Sequence, residues 1–326
     1  MIVVEQMESR HLAGNAFGDP SRRDLVVWLP PGYAAAPDRR YATAYLLHGF
    51  GGCARAWVVG PTLEGGFVRP PIQDILDEAT LRQGAAEMIV VMPDGWSRWG
   101  CGQWVDSPLN GAFEQYVVDE VVPFVDARWR TRRSPASRGV FGSSSGGFGA
   151  WHLASRHPEV FGAMALLSAD SFFEVTHRPW FHRYYSRIFP HEPSGPVDGD
   201  IWSWLCYGCA ACYSPNLENR PYRVDLPVVF PTGEIAPEVW ARWLAFDPVT
   251  SWAGRLPQLR RLRGILLDVG FRDEYDFQYG HRLLSRGLAS AAIAHQVEEH
   301  DGTHGSRLLE RLQFALRWFG QVLDAG

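Results

Sequence analysis

The chain has 326 residues, 46% apolar and 21% charged, enough for one large α/β domain or two ordinary ones with a substantial core. Its formal net charge is −5 and the one basic cluster is Arg130-Thr131-Arg132-Arg133, so no nucleic-acid partner is expected. All 31 basic residues are arginine; without lysine there is no Schiff-base chemistry, no Walker-type phosphate loop and no Ser-Lys catalytic pair.

Residues 1–30 read as two strands joined by a turn-rich segment at 14–20, the second being residues 24–29, stopped by Pro30-Pro31-Gly32. Short apolar runs follow at 42–47, 88–92, 139–141, 163–167 and 264–269, each ending in Gly, Asp, Ser or His, as buried parallel strands do. Helical patterns lie between them at 72–82, 113–128, 148–156, 280–288 and 306–323. This alternation predicts a doubly wound, mostly parallel α/β sheet in a single domain spanning 1–326. Residues 172–259 break the pattern with aromatics and prolines and read as an inserted cap or lid, because no linker isolates them.

The N-terminus lacks a basic region followed by a long apolar stretch, and no run reaches the roughly 18 apolar residues of a membrane span. Five cysteines, an odd number at low density, fit a reducing compartment, so the expectation is a soluble cytoplasmic protein. A homo-oligomer is compatible with the sequence.

The run Gly142-Ser143-Ser144-Ser145-Gly146 fits the G-x-S-x-G nucleophile elbow between a strand and a helix. Ser144 is therefore the candidate nucleophile. A serine hydroxyl is a poor nucleophile at neutral pH, so it needs a base within hydrogen-bond reach and an acid to orient that base. The base candidate is His304, in the loop His300-Asp301-Gly302-Thr303-His304-Gly305 before the last helix. His295 and His300 lie beside or in the preceding strand and read as structural. Asp268, Asp273, Glu274 and Asp276 cluster near one strand end; Asp273 is the choice for the acid and Asp276 the second.

An oxyanion hole needs two preorganised N–H donors, expected from Ser145, just after the nucleophile, and Phe50, in His48-Gly49-Phe50-Gly51-Gly52. Trp57, Trp96, Trp99, Trp104 and Phe148 cluster at strand ends and, with His48 and Gly49, are candidates for a substrate pocket. Cys206-x-x-Cys209-x-x-Cys212 resembles part of an iron–sulfur run, but the fourth cysteine is missing and a helix would spread the thiols around its axis. They read as packing residues; no metal and no organic cofactor is called for.

Taken in order, the chain resembles the esterase family of α/β hydrolases that includes esterase D proteins, feruloyl esterases, enterochelin esterases and mycolyltransferases. The likeness rests on Trp28-Leu29-Pro30-Pro31-Gly32-Tyr33, Leu46-Leu47-His48-Gly49, Met92-Pro93-Asp94-Gly95, Val105-Asp106-Ser107-Pro108 and the 120–126 helix start. It continues through the serine elbow, Asp268-x-Gly270-x-x-Asp273 and Gly302-Thr303-His304. The resemblance implies an α/β-hydrolase fold, a Ser144, Asp273, His304 triad, and hydrolysis of a small-molecule carboxylic ester through an acyl-enzyme. It favours Asp273 over its acidic neighbours. The 172–259 region has no counterpart in compact esterase D proteins, so thioester specificity does not carry over. Acyl transfer to a bound alcohol and a catalytically silent binding scaffold are the rival expectations.

Overall fold

The middle strands of the sheet are mostly apolar because both their faces are covered. The computed structural model describes residues 1–59, 62–64, 67–189 and 195–323. Eight strands form the main sheet: β1 (Ile2–Glu8), β2 (Arg22–Trp28), β3 (Thr43–Leu47), β4 (Ile89–Pro93), β5 (Arg138–Ser143), β6 (Ala163–Leu167), β7 (Gly264–Gly270) and β8 (Gln296–His300). They lie in the order β1-β2-β4-β3-β5-β6-β7-β8. β2 pairs antiparallel with β1 and β4, and every other pairing is parallel. Every residue of β3, β4, β6 and β7 is buried. The edge strands are less buried, exposing Val4, Gln6 and Glu8 in β1 and Gln296, Val297 and Glu299 in β8, and the exposed carboxylates discourage pairing with another chain.

The helices that cover the sheet are α1 (Ile72–Leu81), α2 (Val122–Arg128), α3 (Ser145–Arg156), α5 (Phe277–Ser290) and α6 (Leu308–Val322), while α4 (Ile201–Tyr213) belongs to the segment between β6 and β7. Strand period two sorts side chains between the faces. Tyr45, Leu47 and Val140 join α3 and α5 through Leu153, Leu284 and Leu288. Ala44, Leu46 and Phe141 join α1 and α6 through Leu76, Leu316 and Phe319. Each fully buried side chain of this size contributes roughly 1.5–3 kcal/mol relative to exposure. The predicted helix over 113–128 is not uniform: a wide-turned π segment, Tyr116–Val121, precedes α2. Pro123 has no N–H to donate one turn back, so the regular ladder is interrupted there.

Between β6 and β7 the chain forms short helices and α4, whose first N–H groups are capped by the Asp200 side chain at Trp202 and Ser203. Here Phe181, Tyr213, Trp240 and Trp243 build a separate aromatic cluster, joined to the main body by Val105, Leu109 and Phe148. Residues 190–194 of the predicted cap lie outside the described residues. Leu259, at its other end, is buried in the core of the sheet's α3 side. Residues of the loops after β3, β5, β6, β7 and β8 line one cavity together with Trp180, Ile201 and Leu205 of this region.

Candidate active site

β5 ends at Ser143 and α3 begins at Ser145, so the chain reverses at Ser144, with φ 57° and ψ −129°. A serine held there stores strain of order 1–3 kcal/mol, which the surroundings must over-determine. They do. Ser144 donates its N–H to Leu167 O at 3.0 Å and accepts from Phe148 N–H at 2.9 Å. Neighbouring side chains are excluded: a Cβ on Gly146 would lie 2.1 Å from Leu47 O, and one on Gly142 2.5 Å from the same oxygen. The hydroxyl is left at the sheet's carboxyl edge, partly accessible.

The loop after β3 closes on it. A Cβ on Gly49 would stand 3.4 Å from Ser144 Cβ, and Gly51 turns through φ 75°. His48 anchors this loop, its Nε2 accepting from Gly95 N–H at 2.8 Å, which leaves Nδ1 to donate to Gly49 O at 2.9 Å. Trp104 adds an indole N–H bond to His48 O at 3.2 Å. Phe50 and Ser145 line one small cavity with Ser144. The Phe50 ring fits the space left by Gly100 and by Gly208 on α4, tying the loop to the overlying helices.

From the ends of β7 and β8 come an aspartate and a histidine in contact. His304 Nδ1 meets Asp273 Oδ2 at 2.9 Å. Asp273 Oδ1 also accepts from Tyr275 N–H at 3.0 Å. Burial alone would raise the Asp273 carboxyl, but the His304 bond and charge, the Tyr275 N–H and the Ser168 hydroxyl together hold it below the ordinary aspartate value. An ionised Asp273 fixes Nδ1 as the donor nitrogen, leaving Nε2 as the acceptor of the neutral ring. The rings of Tyr275 and Phe277 meet His304 edge-on at 4.7 and 5.5 Å.

The other acids near β7 have different work. Glu274 Oε2 accepts the His304 N–H at 2.8 Å. Asp276 starts α5 with φ 66° and donates its N–H to Asp273 O. Asp268 is buried and paired with Arg311, whose other nitrogens donate to His304 O at 3.1 Å and Ser168 Oγ at 2.9 Å. Arg311 thus holds the histidine loop from beneath. Arg311→Met would leave the Asp268 carboxylate buried without its cation, at a cost of about 3–5 kcal/mol, measurable as a fall in urea-unfolding free energy. His300, within β8, is 4.0 Å from Asp268, and His295 bonds the Ser285 hydroxyl.

Sequence reasoning overlooked Asp170, three residues past β6. Its side chain is buried, with Oδ1 3.5 Å from Ser144 Oγ and Oδ2 3.1 Å from Ser145 Oγ. Gln103, also overlooked, donates to Ser145 Oγ at 3.0 Å, so that hydroxyl must give its own proton to Asp170. Burial raises the Asp170 carboxyl to about 6 against the pull of His304 and the two hydroxyls, with the Asp273 charge pushing the same way as burial. A folded value above the unfolded one means the native state binds the extra proton between pH 4 and 6, so stability falls as pH rises through that window. The ionised carboxyl therefore costs the fold about 3 kcal/mol at neutral pH. Asp170→Asn is expected to raise stability by up to about that amount at pH 8 and to leave it unchanged below pH 4, as urea unfolding at the two pH values would read.

Two cavities open on Ser144 and His304. The larger, about 720 Å³, is lined by His48, Gly49, Trp57, Glu274 and Arg307 among others. The smaller, about 230 Å³, has Asp170 at its floor and Trp180, Leu205, Tyr275 and Phe277 as walls. The expected pocket residues divide accordingly. His48, Gly49 and Trp57 face the larger cavity; the other four line neither. Trp104 is fully buried as a prop under His48, because its ring fills the space over Gly95 and Gly149. Phe148 is fully buried among Phe173, Tyr213 and His152. Trp99 packs on Phe17 and Tyr207, and Trp96 lies half-buried in a short hairpin with Cys101. Strand-end position alone did not separate cavity walls from supports.

Cys206, Cys209 and Cys212 all lie on α4, buried in the aromatic cluster with thiols pushed up by burial. The Cys209 and Cys212 sulfurs accept side-chain amide bonds from Gln103 and Asn110. Among the described residues no group of three or more His, Cys, Asp or Glu converges as a metal site. No described helix is long and apolar enough to cross a membrane.

This geometry accords with comparison to known proteins. The family described as "Putative esterase" matches residues 19–309. An endo-1,4-beta-xylanase/feruloyl esterase of Xylanibacter ruminicola is 25% identical over 149 residues, 45% of this chain and 19% of that protein. The chain thus spans about a fifth of that relative's length. Among solved structures, a ferulic acid esterase superposes with a TM-score of 0.64 at 18% identity, covering 100% of this chain and 98% of the other. An S-formylglutathione hydrolase from Agrobacterium tumefaciens gives 0.60 at 17% identity, with 99% and 95% covered. At these identities the likeness speaks for the fold, which is that of the α/β hydrolases. The family match over most of the chain goes further: this protein belongs to the esterase family of α/β hydrolases.

Proposed function

We propose that the chain is a serine carboxylesterase acting through an acyl-enzyme. The observation that carries this reading is the 2.9 Å Asp273–His304 contact, with His304 bordering the same cavities as the strained Ser144. His304 Nε2 takes the hydroxyl proton as Ser144 Oγ bonds to the ester carbonyl carbon, and the carbonyl electron pair moves onto oxygen. The N–H groups of Phe50 and Ser145 stabilise that oxyanion; one such donor is commonly worth roughly 3 kcal/mol in the transition state. Collapse breaks the bond to the alcohol oxygen, which leaves with the proton from His304. Water, deprotonated by the same nitrogen, then attacks the acyl-enzyme and releases the acid with Ser144 restored. No step calls on a metal or organic cofactor.

Ser144 Oγ rests on Asp170 at 3.5 Å, and its turn toward His304 belongs to the substrate-bound state, since catalytic hydrogen bonds often tighten only there. Trp180, Ile201 and Leu205, from the region between β6 and β7, support a capping role there by lining the smaller cavity beside Ser144. Five free cysteines accord with a reducing, cytoplasmic location. Saturable hydrolysis of p-nitrophenyl acetate by the purified protein tests the reading, and no turnover across short-chain aryl esters would reject it. Repeating the assay with added alcohols separates hydrolysis from acyl transfer: new ester product at unchanged p-nitrophenol release would point to transfer.

A further inference from the structure

Asp170 is a buried carboxyl that no arginine pairs with among the described residues, and the nearby His304 is engaged by Asp273. The one ion-pair neighbour of Asp170 among the described residues is His177, at 4.0 Å. Burial drives that imidazole down to about 3, so it is neutral. The Thr176 hydroxyl gives its proton to backbone carbonyls at Ser171 and Phe172, so His177 Nδ1 must donate to Thr176 Oγ1, at 2.8 Å. The remaining His177 nitrogen, Nε2, is then an acceptor, and it has no partner among the described residues. Asp170 thus lines the small cavity with a buried acceptor behind it, and among the described residues no donor there is strong enough for an ionised carboxylate. A carboxylate buried unpaired is destabilising, so its retention calls for a cationic partner from outside the chain.

Position narrows what that partner can be. A reacting carbonyl carbon waits about 3–3.5 Å from the attacking oxygen. Asp170 Oδ1 is 3.5 Å from the same oxygen, so it can reach a substituent on the carbon next to the carbonyl and little beyond. The aromatic residues that line the cavity with it, Trp180, Tyr275 and Phe277, suit an apolar or aromatic side chain. At about 230 Å³ the cavity exceeds the roughly 150 Å³ void known to admit benzene. We propose, resting on the esterase reading above, that Asp170 makes this enzyme selective for esters whose acyl group carries an α-ammonium and an apolar or aromatic side chain: α-aminoacyl esters. Asp170 takes the ammonium, the small cavity takes the side chain, and the larger cavity takes the alcohol.

Three methyl esters differing at one atom test this: L-phenylalanine methyl ester, methyl L-3-phenyllactate and methyl 3-phenylpropanoate. Their hydrolysis at pH 7 is followed by acid release with the wild type and Asp170→Asn. The readout is the kcat/KM ratio of each substituted ester to methyl 3-phenylpropanoate, compared between the two proteins so that intrinsic ester reactivity cancels. The ammonium ratio is expected to fall about 30- to 100-fold in Asp170→Asn, the loss of one charge-assisted hydrogen bond, while the hydroxyl ratio changes less than 5-fold. An unchanged ammonium ratio overturns the proposal, as does an equal fall for the hydroxy ester, which would mark a neutral donor site. Labelling of Ser144 by a fluorophosphonate in parallel separates the two failures. If Ser144 labels but the ratios do not move, the α-ammonium assignment alone fails; if Ser144 does not label and no ester is hydrolysed, the esterase reading fails and takes this one with it.

Discussion

Ser144→Ala should lower kcat for a short-chain aryl ester by roughly 10⁵-fold while leaving the urea-unfolding midpoint close to wild type. The size follows from what the hydroxyl does. Without it there is no acyl-enzyme, and only the oxyanion donors and binding remain, which keep a residual acceleration over water. The fold should tolerate the change because the elbow is held by backbone bonds at Leu167 and Phe148 and by the glycines at 142 and 146, none of which needs the serine oxygen. The partner Asp170 also loses only a 3.5 Å contact and keeps its bond to Ser145. Retained turnover in the purified variant, checked for wild-type carry-over by active-site titration, would refute the nucleophile.

Asp273→Asn should cost roughly 10⁴-fold in kcat with little change in KM. An amide in place of the carboxylate can present its NH₂ to Nδ1, which moves the imidazole proton to Nε2, where the lone pair must face Ser144. The geometry would survive, since the Tyr275 N–H can still bond the amide oxygen. The rate would not. Asp276→Asn, by contrast, should leave kcat within a few-fold, because its backbone rather than its carboxyl is tied to Asp273. Steady-state kinetics on the two variants side by side decide between the two acids.

Asp170 and Asp273 are both buried aspartates, yet their surroundings move them in opposite directions. Asp273 is surrounded by donors, from His304, Tyr275 N–H and Ser168, and stays ionised. Asp170, bonded among the described residues to two serine hydroxyls beside a neutral imidazole, is raised by burial to about 6 despite the pull of His304. Such a divergence is how one site keeps two carboxyls in different roles.

The sheet was legible because its interior strands are covered on both faces: runs such as 163–167 and 264–269 contain almost nothing polar, and the structure has Ala163–Leu167 and Gly264–Gly270 as strands. The triad candidates were legible because each sits just past such a run, in a small-residue loop. Asp170 sits in the same way past β6, in Ser168-Ala169-Asp170-Ser171, and the same rule would have found it had it been applied to that strand end. The structure of the segment between β6 and β7 was not legible. Helices such as Phe173–Thr176 and Arg178–Arg183 are too short to show a period, and α4 buries residues all round its axis, so neither offers an amphipathic stripe. Trp104 and Phe148 failed as wall candidates for a related reason: an aromatic at a strand end serves equally as lining or as a prop, and only the packing against Gly95, Gly149 and Phe173 distinguishes them.

The central claim, that Ser144 is an activated nucleophile, is tested most directly by treating the folded protein with a fluorophosphonate probe and mapping the adduct by peptide mass spectrometry. The expected result is stoichiometric modification of Ser144 alone, abolished by heat denaturation and by Ser144→Ala, and slowed by at least about 10²-fold in His304→Ala. An unmodified protein, or an adduct on Ser143 or Ser145 that persists in Ser144→Ala, would contradict it.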